Sequence, residues 1–331
     1  GAPNKPIVSV GDTVKMGQLI GTNDAPVSAP VHASVSGKVI AVEPRRHMLG
    51  DMVMSVVIEN DFKDTPCEDM KPLTAEQLKD PDAIIARIRE AGVVGMGGAM
   101  FPTAFKIQGA RGKVDTLIIN GAECEPYLCG DHRTMLEHPE ELLKGIELVR
   151  IAHGLDKCYY GIEKNKQDKA NTNREVKPGG LPSGVGCNVV STYTAYTIYR
   201  ACYEGIPSIE RVVTVAGDCV KEAQNLLCRF GTPLEHIFAE AGVDMDMVER
   251  ICMGGPMMGI CVADPTAGSV KGASGLLLFS KDMNRESDTP TCIRCGKCIT
   301  VCPMNLEPVF MYMYYSKGDF ANMEKYHITD C

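Results

Sequence analysis

Four cysteines stand close together near the C-terminal end of the chain, as Cys292-x2-Cys295-x2-Cys298-x3-Cys302 followed by Pro303. Spacings of two and three residues let one loop present its thiolates to successive corners of an iron-sulfur cubane, and a proline after the last keeps the chain from running on as a helix. Zinc is the competing reading, but zinc sites more often pair two short cysteine hooks across a longer loop. In bacterial proteins with two such runs, the fourth cysteine of each serves the other cluster. Cys292, Cys295 and Cys298 are therefore expected to hold one [4Fe-4S] cluster. Cys302 would reach a second, whose own run would begin at Cys331. Met304, Leu306 and Pro308 are expected to pack over the cluster and exclude water, which tunes its potential.

Two other segments carry residues suited to chemistry. Gly95-Met96-Gly97-Gly98-Ala99-Met100-Phe101-Pro102-Thr103 precedes Lys106. Close-set glycines let backbone N–H groups converge on a phosphate, and a nearby lysine adds charge. The same glycines also suit an ordinary turn, and the pattern is neither a Walker loop nor G-x-G-x-x-G. Asn120-Gly121-Ala122-Glu123-Cys124-Glu125-Pro126 follows the apolar run Leu117-Ile118-Ile119. It falls where α/β folds place ligand-contacting groups, although an exposed acidic loop would read the same way.

The elements that must position these residues are legible as patterns. Residues 1–62 alternate short apolar runs with Gly, Pro and Asp, which predicts a compact β unit. Residues 61–81 are polar and contain Pro66, Pro72 and Pro81, as a linker would. Ile84, Ile85 and Ile88 share a helical face that ends at Ala91-Gly92, and residues 139–152 read as an amphipathic helix. Helix and strand alternate through 63–206, which predicts an α/β domain. From 207 to 285, two strands, a helix near 234–241 and a later strand at 275–279 suit a β-grasp module. Residues 286–331 form the cysteine-bearing segment. The expected fold class is thus a multidomain α/β protein.

Composition narrows the function classes. With 331 residues, a formal net charge of -8 and 44% hydrophobic residues, the chain suits several globular domains and lacks the cationic surplus that grips nucleic acid. No run of residues is apolar enough to cross a bilayer, so any membrane role is expected to be peripheral to a cytoplasmic chain. Both ends read as cuts in a longer protein. The eleven cysteines outside the cluster run, Cys331 included, are scattered singly, a pattern of a reducing compartment rather than of a disulfide framework.

Taken together these motifs resemble known families. Val10-Gly11-Asp12-x-Val14-x-x-Gly17-Gln18-x-Ile20 with Ser36-Gly37-Lys38-Val39 is similar to the biotinyl/lipoyl barrel-sandwich fold, but the tip reads Val31-His32-Ala33-Ser34 without the modified lysine. A structural barrel without a prosthetic arm is expected. The glycine loop and acidic segment resemble the flavin-binding, NADH-oxidising subunit of complex I, with its G-R-G-G-A-G-F-P-T and N-A-D-E-x-E-P-G. The order of motifs along the chain, including Gly179-Gly180-Leu181-Pro182, Gly254-Gly255-Pro256-Met257-Met258-Gly259 and Lys271-Gly272-Ala273-Ser274-Gly275, resembles the C subunits of Rnf complexes, ferredoxin:NAD oxidoreductases of bacterial membranes.

The resemblance implies FMN held beside an NADH site, two 4Fe-4S clusters in the full-length protein, and ferredoxin-like carriers and other Rnf-type subunits as partners. It implies that Gly95, Gly97, Gly98 and Lys106 hold the FMN phosphate region. Asn120, Glu123 and Glu125 would line the flavin and nicotinamide, the two carboxylates at the reacting end, and Phe101 would stack on the dinucleotide. The chain departs from the pattern where it passes through Asn171-Thr172-Asn173-Arg174-Glu175 without a Tyr-Pro-Gln-Gly-Gly-Glu-Lys motif, and where Cys187-Asn188-Val189 replaces an Asn-Asn pair. Those departures bear on flavin and NADH binding. They keep open two other expectations: a soluble Rnf C-like protein feeding a dedicated reductase, such as an amino-acid or cobalamin reductase, and a flavin-free iron-sulfur scaffold.

Overall fold

The structure, a computed structural model, describes residues 2–162, 180–283, 292–302 and 305–328. Strands β1 (Lys5–Pro6), β2 (Thr13–Val14), β3 (Leu19–Thr22), β4 (Val31–His32), β5 (Gly37–Arg46) and β6 (Met52–Asn60) form two antiparallel sheets, ordered β1-β3-β4 and β2-β5-β6. Period-2 alternation sets the inner face, since Gly37 and Val39 point inward while Lys38 and Ile40 face water. Val14, Ile20, Ala33 and Val39 close the core. The 31–34 tip is packed rather than free: His32 and Ala33 are buried, and Ser34 Oγ donates to the Phe230 carbonyl at 2.7 Å.

The segment after β6 contains a single helical turn, Gln77–Lys79, and is pinned to the next unit by Leu73 N–H donating to the Cys202 carbonyl at 2.8 Å. Then follow α1 (Pro81–Glu90), α2 (Thr103–Ala110), β7 (Thr116–Gly121), α3 (Gly130–Glu137), α4 (Pro139–His153), β8 (Cys158–Ile162), β9 (Cys187–Ser191) and α5 (Thr192–Tyr199). Asp80 caps α1 by accepting from Asp82 N–H, Pro81 opens it, and Ile84, Ile85 and Ile88 are its buried stripe. The strands pair in parallel in the order β8-β7-β9. Helix α4 lies so close to α5 that a Cβ on Gly145 would sit 2.1 Å from the Ala195 carbonyl.

The third unit comprises β10 (Glu210–Ala216), β11 (Gln224–Arg229), α6 (Leu234–Glu240), β12 (Val248–Met253), β13 (Ile260–Cys261) and β14 (Gly275–Ser280), in the order β11-β10-β14-β12-β13. The β10–β14 contact is parallel and the others antiparallel. Val213, Val215, Leu234, Phe238, Leu276 and Leu278 form its core, and Met48, from the turn between β5 and β6, is fully buried among them. The C-terminal segment carries α7 (Lys297–Thr300), α8 (Pro308–Tyr315) and α9 (Phe320–Lys325), the last two stapled by the stacked rings of Phe310 and Tyr326, 5.4 Å apart.

One lysine joins the first three units. Lys271 Nζ donates to the Pro30 carbonyl at 3.1 Å and the Gly92 carbonyl at 2.6 Å. Burial lowers its pKa from 10.5 to about 8. Below pH 8 the lysine is charged folded and unfolded, and the burial penalty is carried in full. Between pH 8 and 10.5 the unfolded chain holds the proton that the folded chain has released, so folding gains stability as pH rises. The unfolding free energy of the native chain minus that of Lys271→Met should therefore rise by about 2 kcal/mol from about pH 7.5 to about pH 9.5, read by urea unfolding. A difference that stays flat would show that the amine is not buried as charged.

Candidate functional site

β7 is the middle strand of the parallel sheet, with β8 on one side and β9 on the other. The chain thus reverses direction across the sheet between β7 and β9, and the carboxyl ends of such strands flank the crevice where open α/β sheets bind ligands. Asn120 and Ser191 are at those ends, paired in register. The Asn120 carbonyl accepts from Thr192 Oγ1 at 3.1 Å and its Oδ1 accepts from Ala122 N–H at 3.0 Å. This fixes the turn out of β7 and the start of α5.

The glycine loop closes over the same end of the sheet. A bridge between Val94 and Pro102 seals its neck. Inside it, Gly95 N–H donates to the Phe101 carbonyl at 2.8 Å and Met100 N–H to the Gly95 carbonyl at 3.1 Å. Met96 N–H donates to Thr194 Oγ1 at 2.9 Å, which ties the loop to the first turn of α5. A Cβ on Gly97 would lie 3.3 Å from Ser191 Cβ, so that glycine lets the loop touch the β9–α5 junction. Gly98 has φ +106°, in the region that favours glycine, and a Cβ there would meet nothing within 4 Å. Its backbone faces open space beside a helix N-terminus, the setting that suits an anion. These residues fit the phosphate end of a flavin nucleotide.

Phe101 is 40% exposed and packs edge-on to Phe105 at 5.9 Å, leaving ring surface for a stacking partner. Lys106 is placed differently from the free phosphate ligand that its position in the sequence suggests. Its Nζ donates to the Val189 carbonyl on β9, and burial lowers its pKa. It steadies the strand that meets the loop, and contact with a phosphate would require it to exchange that acceptor.

The two carboxylates diverge, because side chains so close in a loop need not share a direction. Glu123 accepts from Asp131 N–H at 3.0 Å and His132 N–H at 3.1 Å, satisfying free amides at the start of α3. Glu125 accepts from Met257 N–H at 3.0 Å and Met258 N–H at 2.8 Å, in the loop between β12 and β13. That loop fits closely, since a Cβ on Gly255 would lie 2.1 Å from Glu125 Oε2.

Three supporting residues complete the site: Asp131 follows the acidic segment in the sequence, while Arg211 and Thr194 carry no mark in its patterns. Arg211 is buried on β10, stacks over Tyr193 at 5.4 Å, and donates to the Met96 carbonyl at 3.2 Å and the Lys271 carbonyl at 2.8 Å, so the third unit grips the glycine loop. Asp131 has its pKa pushed up to about 6, by burial first and then by the Glu123 charge. Thr194 holds Met96. A Ser191-Thr192-x-Thr194 start to a helix is an N-terminal signature that could have revealed it. Asn188, in the place of the expected Asn-Asn pair, is buried and donates to His153 Nε2 at 2.6 Å. A cleft of about 730 Å³ opens between α3, α5 and β10–β11, lined in part by Tyr127, Arg133, Tyr196 and Asn225, and it includes none of the glycine-loop residues.

In the cysteine run, Arg294 and Gly296 adopt positive φ and bend the chain around Cys295. Arg294 N–H donates to Cys292 Sγ at 3.4 Å and Leu306 N–H to Cys302 Sγ at 3.3 Å. Such N–H···S bonds stabilise thiolate ligands and set cluster potential, so the donor type suits a cluster, although among the described residues no three His, Cys, Asp or Glu side chains gather around one point as a metal group. Leu306 is buried beside the run. Met304, Cys331 and the junction at 170–176 lie outside the described residues. Among the described residues no helix is long and apolar enough to cross a membrane.

Known proteins resemble this chain in sequence and in fold. Residues 1–63 match the family model of the RnfC barrel sandwich hybrid domain, and residues 88–174 that of the Nuo51 FMN-binding domain. The chain is 38% identical to the C subunit of the Na+-translocating ferredoxin:NAD+ oxidoreductase complex of Acetobacterium woodii, covering 100% of this chain and 82% of that one. It is 36% identical to the C subunit of the proton-translocating ferredoxin:NAD+ oxidoreductase complex of Clostridium ljungdahlii, covering 100% and 80%. The first alignment runs over 364 residues against 331 in this chain, so the relative carries residues that this chain lacks. An NAD+-reducing [NiFe]-hydrogenase crystal structure superposes with a TM-score of 0.51 at 18% identity, covering 64% of this chain and 50% of that one, a likeness of fold.

Proposed function

This chain belongs to the family of Rnf complex C subunits, and on that footing we propose that it moves electrons between NADH, FMN and 4Fe-4S clusters as a peripheral, cytoplasmic component of a ferredoxin:NAD oxidoreductase complex. The observation that carries the reading is the glycine loop clamped over the β7/β9 switch point, with open space beside Gly98 and the first turn of α5 facing it. FMN, when bound, supplies the chemistry that takes two electrons from a hydride donor and releases them singly to one-electron clusters.

The chain's own residues divide the remaining work. Gly97 and Gly98 present backbone to the phosphate, Gly95 spends its own N–H and carbonyl on closing the loop beneath them, and Asn120 borders the isoalloxazine. Phe101 offers its ring to the dinucleotide, and Lys106 braces β9 behind the loop. Glu123 and Glu125 anchor the walls on either side of the acidic segment, one to α3 and one to the 254–259 loop, and so set the width of the nicotinamide end. The 207–285 unit acts as a β-grasp clamp, its Arg211 holding the loop from behind. Cys292, Cys295 and Cys298 take one cluster, while Cys302 and Cys331 serve the second, in a ferredoxin-type segment over 286–331. Other Rnf-type subunits and a ferredoxin-like carrier are the partners.

Anaerobically purified full-length protein tests the reading. It should show a flavin absorbance band that NADH bleaches, and it should co-purify with membrane subunits. Intact clusters without flavin would overturn it. Glu125→Gln sharpens the test. The amide oxygen can accept from one of the Met257 and Met258 amides but turns its NH2 toward the other, so one charge-assisted hydrogen bond, of order 1.5–3 kcal/mol, is lost. Single-turnover flavin reduction by NADH should slow by roughly 10- to 100-fold while FMN affinity changes little. An unchanged rate would remove Glu125 from the site.

A further inference from the structure

Cys252 and Cys261 face each other directly across β12 and β13. The adjoining pair carries the hydrogen bond, from Val262 N–H to the Ile251 carbonyl at 2.9 Å, so the two cysteines occupy a non-hydrogen-bonded position of the ladder. Opposing Cα atoms at such positions approach to about 4.5 Å. That lies within the roughly 4.4–6.8 Å that a disulfide spans, and both side chains leave the same face of the sheet. Both thiols are free.

Their surroundings differ in a way that divides the labour. β13 is an edge strand, and Cys261 is exposed and borders an open groove of about 400 Å³ that it shares with Val248, Arg250 and Pro265. Cys252 is buried, with its Sγ 3.6 Å from the Gly255 carbonyl. An accessible thiol backed by a buried one is the arrangement of an attacking and a resolving cysteine.

We propose that Cys252 and Cys261 form a redox-active dithiol that a small disulfide of the glutathione class oxidises to an intrachain disulfide. The Cys261 thiolate attacks one sulfur of the oxidant, forms a mixed disulfide and expels one thiolate, which takes up the proton released by Cys261. Cys252 then loses its proton and attacks Cys261 Sγ, forming the Cys252–Cys261 bond and expelling the second thiol. Two protein thiols lose two electrons and two protons, and the oxidant gains both as two thiols. The same ladder position puts the bond at the tight end of disulfide geometry. Bonds of that kind are reducible rather than permanent.

The consequence falls on the site already described. Cys252 and Cys261 are the base of the hairpin whose Met257 and Met258 amides hold Glu125, and a Cβ on Gly259 would lie 2.5 Å from Cys252 Sγ. Closing the bond ties the base of the loop and tightens its hold on Glu125. This coupling rests on the proposed function, whereas the dithiol itself does not.

The test uses the full chain with its clusters, kept anaerobic and equilibrated with reduced and oxidised glutathione at increasing oxidised fraction. Samples are quenched in acid, unfolded and alkylated, and their peptides mapped by mass. Cys252 and Cys261 should lose alkylation together and appear as one crosslink. Cys261→Ser should leave Cys252 alkylatable at every ratio, and Cys252→Ser should stop at a glutathione adduct on Cys261. Two cysteines that stay alkylatable throughout in a chain with native circular dichroism, or a crosslink to the exposed Cys124 instead, would overturn the proposal. Amide exchange at Met257 and Met258 should slow several-fold in the oxidised form, and unchanged exchange would overturn the coupling to Glu125. These mass and exchange readouts do not depend on flavin, so they fail separately from the flavin reading.

Discussion

Gly98→Val should leave the chain folded and strip it of FMN affinity. Gly98 sits at φ +106° with nothing near the position of a Cβ, so the substitution meets no steric wall in the folded chain. It costs instead backbone strain, of order 1–3 kcal/mol for a β-branched residue in that region, and the loop must either hold the strained shape or abandon it. Either way an isopropyl group enters the space where backbone N–H groups would meet a phosphate. Affinity for FMN should fall by at least about 100-fold, roughly 2.7 kcal/mol, read by flavin fluorescence quenching on the apo-chain with thermal unfolding as control. Gly97→Ala should act more mildly, since its methyl would press on the Ser191 side chain at 3.3 Å rather than enter the open space. Native FMN affinity in Gly98→Val would move the phosphate site away from this loop.

The glycine loop and the strand end that follows it were legible in the sequence because each depends on local features: close glycines, an apolar strand run and a turn. The α1 stripe of Ile84, Ile85 and Ile88 and the short alternating strands of the N-terminal unit were legible for the same reason. What stayed hidden depends on contacts distant along the chain. Glu125 finds its amides 132 residues away in the 254–259 loop, and nothing in Glu-Cys-Glu says that the two carboxylates part company. Lys106 looked like a phosphate ligand because a lysine near a glycine loop often is, yet the β9 carbonyl that accepts its hydrogen bond belongs to a strand 83 residues later. Arg211 reads as an ordinary charge in a strand, and only the fold shows it buried against Met96 and Lys271. Long-range polar partners leave no periodicity, so the supporting residues of the site were the part that pattern could not supply.

Cys298→Ser should separate hydride chemistry from electron exit. A serine oxygen is a hard, weakly held ligand for iron where a thiolate is soft and strong, so the cluster proposed for Cys292, Cys295 and Cys298 should be lost or degraded. The glycine loop is tied to α5 and Glu125 to the 254–259 loop, and these anchors leave the cysteine run aside. NADH should therefore still bleach the flavin in a single turnover, at a rate within about twofold of native, a barrier change below about 0.5 kcal/mol. Reduction of a one-electron acceptor should fall by at least about 100-fold, roughly 2.7 kcal/mol in barrier. Cys302→Ser supplies the discriminating comparison. Cys302 accepts the Leu306 amide on the far side of α7 from Cys292, which accepts the Arg294 amide, and cross-ligation assigns it to the second cluster. Electron paramagnetic resonance of the reduced full-length protein should then lose different signals in the two variants. Loss of one and the same signal would place all four cysteines on a single cluster, and acceptor reduction unchanged in Cys298→Ser would take this run out of the electron path.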